Sequence, residues 1–184
     1  ALLMKVKNIS RNYFVGKGFF NAKATINTTS DTLVNNSRIL KINVEKGNKF
    51  KINEITINGN SALSDEKIKR LMKDTKQKLW YRFYKRSKFQ YSLFDSDKEN
   101  IINKYNELSY RDAKITSDTI YFYDDETLNL EMTIDEGNAY YIRSITWSGN
   151  NKYSSGLLDT ILGIKRGSPY NKATLDMKLF MNPN

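Results

Sequence analysis

This chain repeats itself, and that recurrence limits its possible folds more than any other feature. Residues 42–60 read INVEKGNKFKINEITINGN and residues 132–150 read MTIDEGNAYYIRSITWSGN. At a constant offset of 90, Gly47/Gly137, Asn48/Asn138, Ile52/Ile142, Ile55/Ile145, Thr56/Thr146, Gly59/Gly149 and Asn60/Asn150 coincide. Chemical similarity continues through Ile68/Leu158, Leu71/Ile161 and Met72/Leu162. A second block recurs with a slip of one residue: Phe14-x-x-x-Gly18-Phe19-x-x-Ala22-Lys23 matches Tyr105-x-x-x-Ser109-Tyr110-x-x-Ala113-Lys114. Two blocks in the same order mark a tandem array, each period being one supersecondary unit.

The anatomy of a period follows from its patterning. Residues 50–57 have strand composition and end in the turn signal Asn58-Gly59-Asn60. Ser64 is a helix N-cap, Asp65 and Glu66 suit the first turn, and Ile68, Leu71 and Met72 form an apolar stripe. Further on, Ser96-Asp97-Lys98-Glu99 has capping-box form, followed by Ile101, Ile102, Tyr105 and Leu108. A strand over Asp118–Tyr123 and a turn at Asp124–Thr127 come next. Leu128, Leu130, Met132 and Ile134 then alternate with Asn129, Glu131, Thr133 and Asp135, predicting a strand with one wet face. The whole period is β-α-α-β-β, an α+β unit with a three-stranded mixed sheet packed on two helices.

Partial periods flank it. Residues 1–17 predict a helix with Leu2, Val6, Ile9 and Tyr13 on one side. Residues 21–30 and 38–45 predict two strands, with Leu40, Ile42 and Val44 facing inward. After Tyr140 the order is strand, turn at Gly149-Asn150, short helix near 154–162 and a helix from about Tyr170. The expected organisation is therefore 1–47 as the closing half of one repeat, 48–137 as a complete one, and 138–184 as the opening part of a third. No Gly/Ser or Pro linker separates them, so Gly47 and Gly137 are the expected inter-repeat hinges of a semi-rigid array.

Composition removes most chemistry. The 184 residues include no His and no Cys, hence no imidazole base, thiol nucleophile, thiolate metal site or disulfide. The acidic group Asp124-Asp125-Glu126 falls at a hairpin turn, and Gly163-Ile164-Lys165-Arg166-Gly167 lacks the Walker spacing. No enzyme activity, metal or cofactor is expected. No stretch approaches the ~18–20 apolar residues of a membrane span.

These motifs resemble the polypeptide-transport-associated (POTRA) repeat. The elements that carry the resemblance are a glutamate-glycine ending one repeat, I-x-x-I-x-(I/W)-x-G-N opening the next, and the aromatic-x-x-x-(G/S)-(F/Y)-x-x-A stretch. The last two occur twice, with Ser109 standing where glycine is usual; the first stands as Glu136-Gly137 and, with Lys46 inserted, as Glu45-Lys46-Gly47. Within that family the chain is most similar to the periplasmic arms of outer-membrane β-barrel assembly factors. The resemblance implies a periplasmic location, in a protein held in the outer membrane by a barrel absent from this chain. It implies nascent outer-membrane β-barrel proteins as clients and accessory lipoproteins as docking partners. It also implies capture of extended strands by β-augmentation on the first strand of the closing hairpin, here 118–124, with Ile120, Tyr121, Phe122 and Tyr123 as the edge. Two other readings stand beside it: another barrel-linked secretion or translocation factor, and a basic RNA-binding module.

The segment 73–92, part of an insert over about 73–94, concentrates charge. Seven basic residues against Asp74 make up more than half of the chain's net +10. Lys76, Lys78, Arg82, Lys85, Arg86 and Lys88 alternate with aromatics such as Trp80 and Tyr84. That composition fits packing with snorkelling cations, contact with an anionic surface such as the inner leaflet of the outer membrane or an acidic partner, or nucleic acid. Nucleic acid is not expected, because the GxxG loop of KH modules is absent. Lys17-Gly18-Phe19-Phe20 matches only the start of an RNA-recognition signature.

Overall fold

The computed structural model describes residues 2–77 and 88–180. In chain order the elements are α1 (Leu2–Gly16), β1 (Lys23–Ser30), β2 (Arg38–Glu45), β3 (Lys51–Asn58), α2 (Asp65–Leu71), α3 (Tyr91–Glu107), β4 (Lys114–Phe122), β5 (Thr127–Asp135), α4 (Ser155–Leu162) and α5 (Lys172–Phe180). The architecture is α+β, with an antiparallel β1–β2 pair and a three-stranded sheet in the order β3-β5-β4. A tight turn joins β4 to β5, where the Tyr123 amide donates to the Thr127 carbonyl at 3.0 Å. β3 runs parallel to β5. Lys51 N donates to Glu126 O at their starts (2.9 Å), Asn53 Nδ2 to Asn129 Oδ1 (2.9 Å), and Gly59 abuts Ile134 O at their ends. Parallel neighbours need a long crossover, and α2 and α3 supply it.

Packing groups the described residues into two compact units, 2–56 with 72–77, 88–97 and 119–131, and 57–71 with 98–118 and 132–180. In the first, Phe50, Ile52, Ile55, Met72, Phe89, Phe94, Leu128 and Leu130 are buried together with Ala22 and Ala24. In the second, the buried apolar residues are Ile57, Leu63, Ile68, Ile101, Tyr105, Ala113, Met132, Ile134 and Leu162.

The recurring residues do the same local job each time. The aromatic-x-x-x-(G/S)-(F/Y) stretch is a Schellman helix end. Phe19 N donates to Phe14 O (3.0 Å) and Gly18 N to Val15 O (2.8 Å); Tyr110 N donates to Tyr105 O (3.0 Å) and Ser109 N to Asn106 O (3.1 Å). Each end adds the aromatic contact of that motif, Phe14 on Phe19 at 6.3 Å and Tyr105 on Tyr110 at 6.0 Å. The residue at the turn must be left-handed, and Gly18 (φ 88°) and Ser109 (φ 78°) are. The Gly-Asn pair ties strand to helix. Asn60 Nδ2 donates to Leu63 O and Asp65 Oδ1, and Asn150 Nδ2 to Tyr153 O and Ser155 Oγ. Before it, Gly59 (φ 80°) leaves no room for a side chain, since a Cβ would fall 2.1 Å from Ile134 O.

Five local expectations are corrected. α3 begins at Tyr91, so Ser96 is interior to the helix and its hydroxyl donates back to Ser92 O. The residue after it, Asp97, is fully buried and accepts from the amides of Lys73 and Thr75, both at 2.7 Å. The box-like sequence therefore anchors a loop instead of starting a helix. The buried stripe of α3 is Phe94, Asp97, Ile101 and Tyr105, while Ile102 is half-buried and Leu108 exposed. β5 gains its wet face only from Glu131 onward. Thr127 and Asn129 are buried because β5 is the central strand.

The stripe of α1 is exposed at Leu2, Ile9 and Tyr13, and Leu40 and Ile42 of β2 are also exposed, Val44 being half-buried. One helix on a two-stranded sheet is too thin a stack to cover both faces. Finally, 140–147 is not a strand in the described residues. It makes one antiparallel bridge, Tyr141 to Pro169, flanked by bonds from Ile142 N to Ser168 O and from Gly167 N to Ile142 O, and the pairing ends there.

Candidate functional site

The two extended segments that follow Gly47 and Gly137 are anchored alike. At the first, Phe50 N donates to the carbonyl of the left-handed Gly18 (3.2 Å) and Phe50 O accepts from Phe89 N (2.9 Å). At the second, Tyr140 N donates to the carbonyl of left-handed Ser109 (2.9 Å) and Tyr140 O accepts from Tyr170 N (2.9 Å). Antiparallel bridges Lys51–Lys88 and Tyr141–Pro169 continue each contact. In both places a Schellman helix end is thus fastened by backbone to the extended segment that follows Gly47 or Gly137. Gly47 and Gly137, the expected hinges, both adopt positive φ. They lie against Asn21 and Asp112, which are themselves counterparts across the repeat.

Side chains reinforce the two junctions differently. Phe20 is central to the first, with ring contacts to Phe50 (5.5 Å), Phe89 (6.0 Å), Tyr91 (5.9 Å) and Phe122 (5.5 Å). At the second, the Tyr140 hydroxyl donates to Asp112, and that carboxylate raises the Tyr140 pKa above the usual phenol value. Glu136 accepts from the amides of Ser61 and Ala62 and from the Tyr105 hydroxyl (2.9 Å). Burial, and then Glu136 itself, raise the Tyr105 pKa. Sequence reasoning missed Phe20, reading it only as a departure from an RNA-binding signature. The available signal was its place beside the Schellman turn, where a chain reversal brings side chains into the next repeat.

The expected edge residues lie at the end of β4 and just beyond it, and β4 is an outer strand of the three-stranded sheet. Ile120 is half-buried, while Tyr121, Phe122 and Tyr123 are 45%, 58% and 66% exposed. Phe122 nevertheless touches Phe20 and Phe50, so one face of the strand end rests on the junction cluster. Tyr123 N points to β5, so by the two-residue period the amides of Tyr121 and Tyr123 face the ladder and those of Ile120 and Phe122 face outward. The other outer strand, β3, is bridged near its start by Gln77 and Lys88. Among the described residues no bridge is recorded on the outer side of β4.

Of the insert, Lys76 is half-buried and Lys88 exposed. Lys78, Trp80, Arg82, Tyr84, Lys85 and Arg86 lie outside the described residues. The acidic turn is structural, as Asp124 Oδ1 accepts from Glu126 N (2.8 Å) and Thr127 N (2.6 Å). No helix among the described residues is long and apolar enough to cross a membrane.

The likeness to known proteins agrees with this geometry. Residues 50–137 and 140–178 match the POTRA family, described as a surface antigen variable number repeat. The outer membrane protein assembly factor BamA of Neisseria meningitidis serogroup B is 26% identical over 161 residues, covering 86% of this chain and 20% of that protein. BamA of Buchnera aphidicola is 27% identical over 144 residues, covering 78% of this chain and 23% of that protein. The chain spans less than a quarter of the length of these relatives. The crystal structure of POTRA domains 3–5 of Haemophilus influenzae BamA matches with a TM-score of 0.52 at 19% identity, covering 97% of this chain and 67% of that one. With well over half of its residues matched, and with both signature blocks serving the same structural purpose in each repeat, the chain belongs to the POTRA family.

Proposed function

We propose that this chain is a non-catalytic polypeptide-binding arm of an outer-membrane β-barrel assembly factor, working in the periplasm. Extended segments of nascent barrel proteins add to the outer side of β4 at Ile120–Tyr123, and accessory subunits of the assembly complex dock on the same array. The observation that carries this reading is the asymmetry of the sheet. β3 already receives Gln77 and Lys88, whereas no bridge is recorded outside β4 among the described residues. Main-chain hydrogen bonds at such an edge give affinity with little demand on guest sequence. The names of the relatives, outer membrane protein assembly factors, support the same role. Repeat limits at 47/48 and 137/138, with Gly47 and Gly137 absorbing small rotations, complete the proposal. The insert, through Lys76 to Lys88 and including Trp80 and Tyr84, contacts an anionic lipid surface or acidic partner.

The test is a proline at an outward amide. Ile120→Pro removes one donor from the free edge and leaves the β5 ladder intact, because edge strands tolerate proline on their solvent side. Proline at Tyr121 would remove an inward donor and damage the sheet itself. A labelled strand peptide from a barrel protein, followed by fluorescence anisotropy, should bind Ile120→Pro about tenfold more weakly, as expected for about 1.4 kcal/mol. Unchanged binding, with native circular dichroism, refutes β4 as the edge.

A further inference from the structure

A second surface lies apart from the sheet edge. Lys49, Lys73, Lys76 and Lys88 line one cleft of about 440 Å³, together with Asp74 and Gln90. Among the described residues, four lysines and one aspartate thus line the same concavity.

The cleft is built on fixed backbone. The buried Asp97 carboxylate accepts from the amides of Lys73, Asp74 and Thr75, which locks the loop carrying Lys73 and Lys76. Across from it, Lys88 is held by its bridge to Lys51 and by the bond from Phe89 N to Phe50 O. The Lys49 ammonium sits 5.2 Å from the Phe19 ring centroid, which orients its stem. A basic cluster on flexible loops would lose much of its attraction to ordering; here the backbone positions are set before any ligand arrives.

We propose that this cleft is an anion site for a ligand carrying clustered phosphates, with Lys73 and Lys88 as its principal contacts. Several closely spaced cations suit a multiply charged phosphate group better than a single carboxylate, because each oxygen finds its own ammonium. Asp74 lowers the affinity and limits binding to polyanions. The proposal deepens the reading of the insert as an anion-facing feature, but it uses only the cleft residues that flank that insert.

The experiment titrates tripolyphosphate into the 184-residue chain by calorimetry. Lys73→Gln/Lys88→Gln should weaken binding about tenfold, and Lys5→Gln/Lys7→Gln, which removes the same charge from α1, should change it less than about twofold. Asp74→Asn should tighten it. Flotation with phosphatidylcholine vesicles doped with cardiolipin, whose headgroup carries two phosphates, identifies the source. Vesicle binding lost in the Lys73/Lys88 variant makes the ligand a lipid headgroup. Vesicle indifference alongside tripolyphosphate binding makes it a soluble polyphosphate, and both outcomes uphold the site. Absent tripolyphosphate binding, equal losses in the two double variants, or weaker binding by Asp74→Asn overturns it. A fourth variant, with Lys78, Arg82, Lys85 and Arg86 changed to Glu, separates the two readings. If it alone abolishes binding to tripolyphosphate and vesicles, the cleft is wrong and the insert reading survives. If it binds vesicles like the parent, the insert reading fails by itself.

Discussion

Replacing Ser109 by glycine should stabilise this protein, although glycine usually does the opposite. Ser109 stands at the left-handed position of a Schellman turn with φ 78°, where an L-side chain costs about 1–2 kcal/mol. It is 1% exposed, and its hydroxyl finds no hydrogen-bond partner. A buried unpaired hydroxyl costs about 1–3 kcal/mol. Against these gains, glycine makes the unfolded chain freer by about 0.4–1 kcal/mol. The net is about 2 kcal/mol in favour of Ser109→Gly, or about 4–8 °C in Tm for a chain of this size. Ser109→Ala isolates the hydroxyl, because it keeps the backbone strain, and should fall between the two. Urea unfolding followed by circular dichroism gives the order. If Ser109→Ala is less stable than the parent, the hydroxyl is satisfied in solution. If Ser109→Gly is no better than Ser109→Ala, the backbone is unstrained. The counterpart, Gly18, cannot be changed in the same way. A Cβ there would sit 1.9 Å from Phe89 O, so Gly18→Ala should cost about 3 kcal/mol or more.

This contrast also shows what could be read from the sequence. The ninety-residue recurrence exposed positions with a local hydrogen-bonding role, namely the Schellman ends and the Asn60 and Asn150 ties. Such roles involve residues a few positions apart, so they leave a spaced pattern. Asp97 left the wrong pattern, because its partners are the amides of Lys73–Thr75 and only tertiary structure brings them to α3. Phe20 left none, since its contacts reach Phe50, Phe89, Tyr91 and Phe122. The recurrence overstates the strand character of 140–147, because a matching sequence says nothing about how far a neighbour extends the ladder. For the candidate site, the hairpin was legible from turn signals, whereas its outer strand was implied only by the family resemblance. The bridges from Gln77 and Lys88 that distinguish β3 from β4 were legible in neither.

Other expectations concern the buried carboxylates and phenols. Asp97→Ala should cost about 3 kcal/mol or more by leaving the loop amides unpaired, read as a lower urea midpoint; a change under about 0.5 kcal/mol would contradict the geometry. Tyr105 has its pKa raised in the folded state, so its contribution is fully present below the ordinary phenol value near ~10 and is lost as pH rises above it. The parent should therefore lose stability between about pH 10 and 11 faster than Tyr105→Phe, by up to about one proton's worth of slope. Identical alkaline slopes would place that hydroxyl in water.

The last prediction tests whether the two repeats truly share one design. Phe14 and Tyr105 are counterparts, as are Lys46 and Glu136. Where the ring bears a hydroxyl, the facing residue is a carboxylate that accepts it at 2.9 Å. Where the ring is bare, the facing residue is a cation, with Lys46 Nζ 5.6 Å from the Phe14 centroid and 6.0 Å from that of Phe19. Each pair is internally consistent, since a cation favours the ring face and a carboxylate needs the hydroxyl. Lys46→Glu alone should cost about 0.5–1 kcal/mol, because it loses the cation–π contact and sets a negative charge against the same faces. Phe14→Tyr alone adds a half-buried hydroxyl without an acceptor. The double variant recreates the Tyr105–Glu136 bond, and a hydrogen bond to a charged acceptor contributes about 1.5–3 kcal/mol. The double-mutant cycle should therefore show a favourable coupling of about 1 kcal/mol or more, well outside the ~0.3–0.5 kcal/mol scatter of independent sites. Simple additivity would mean that the two junctions share a backbone scaffold while their side-chain pairs were arrived at separately.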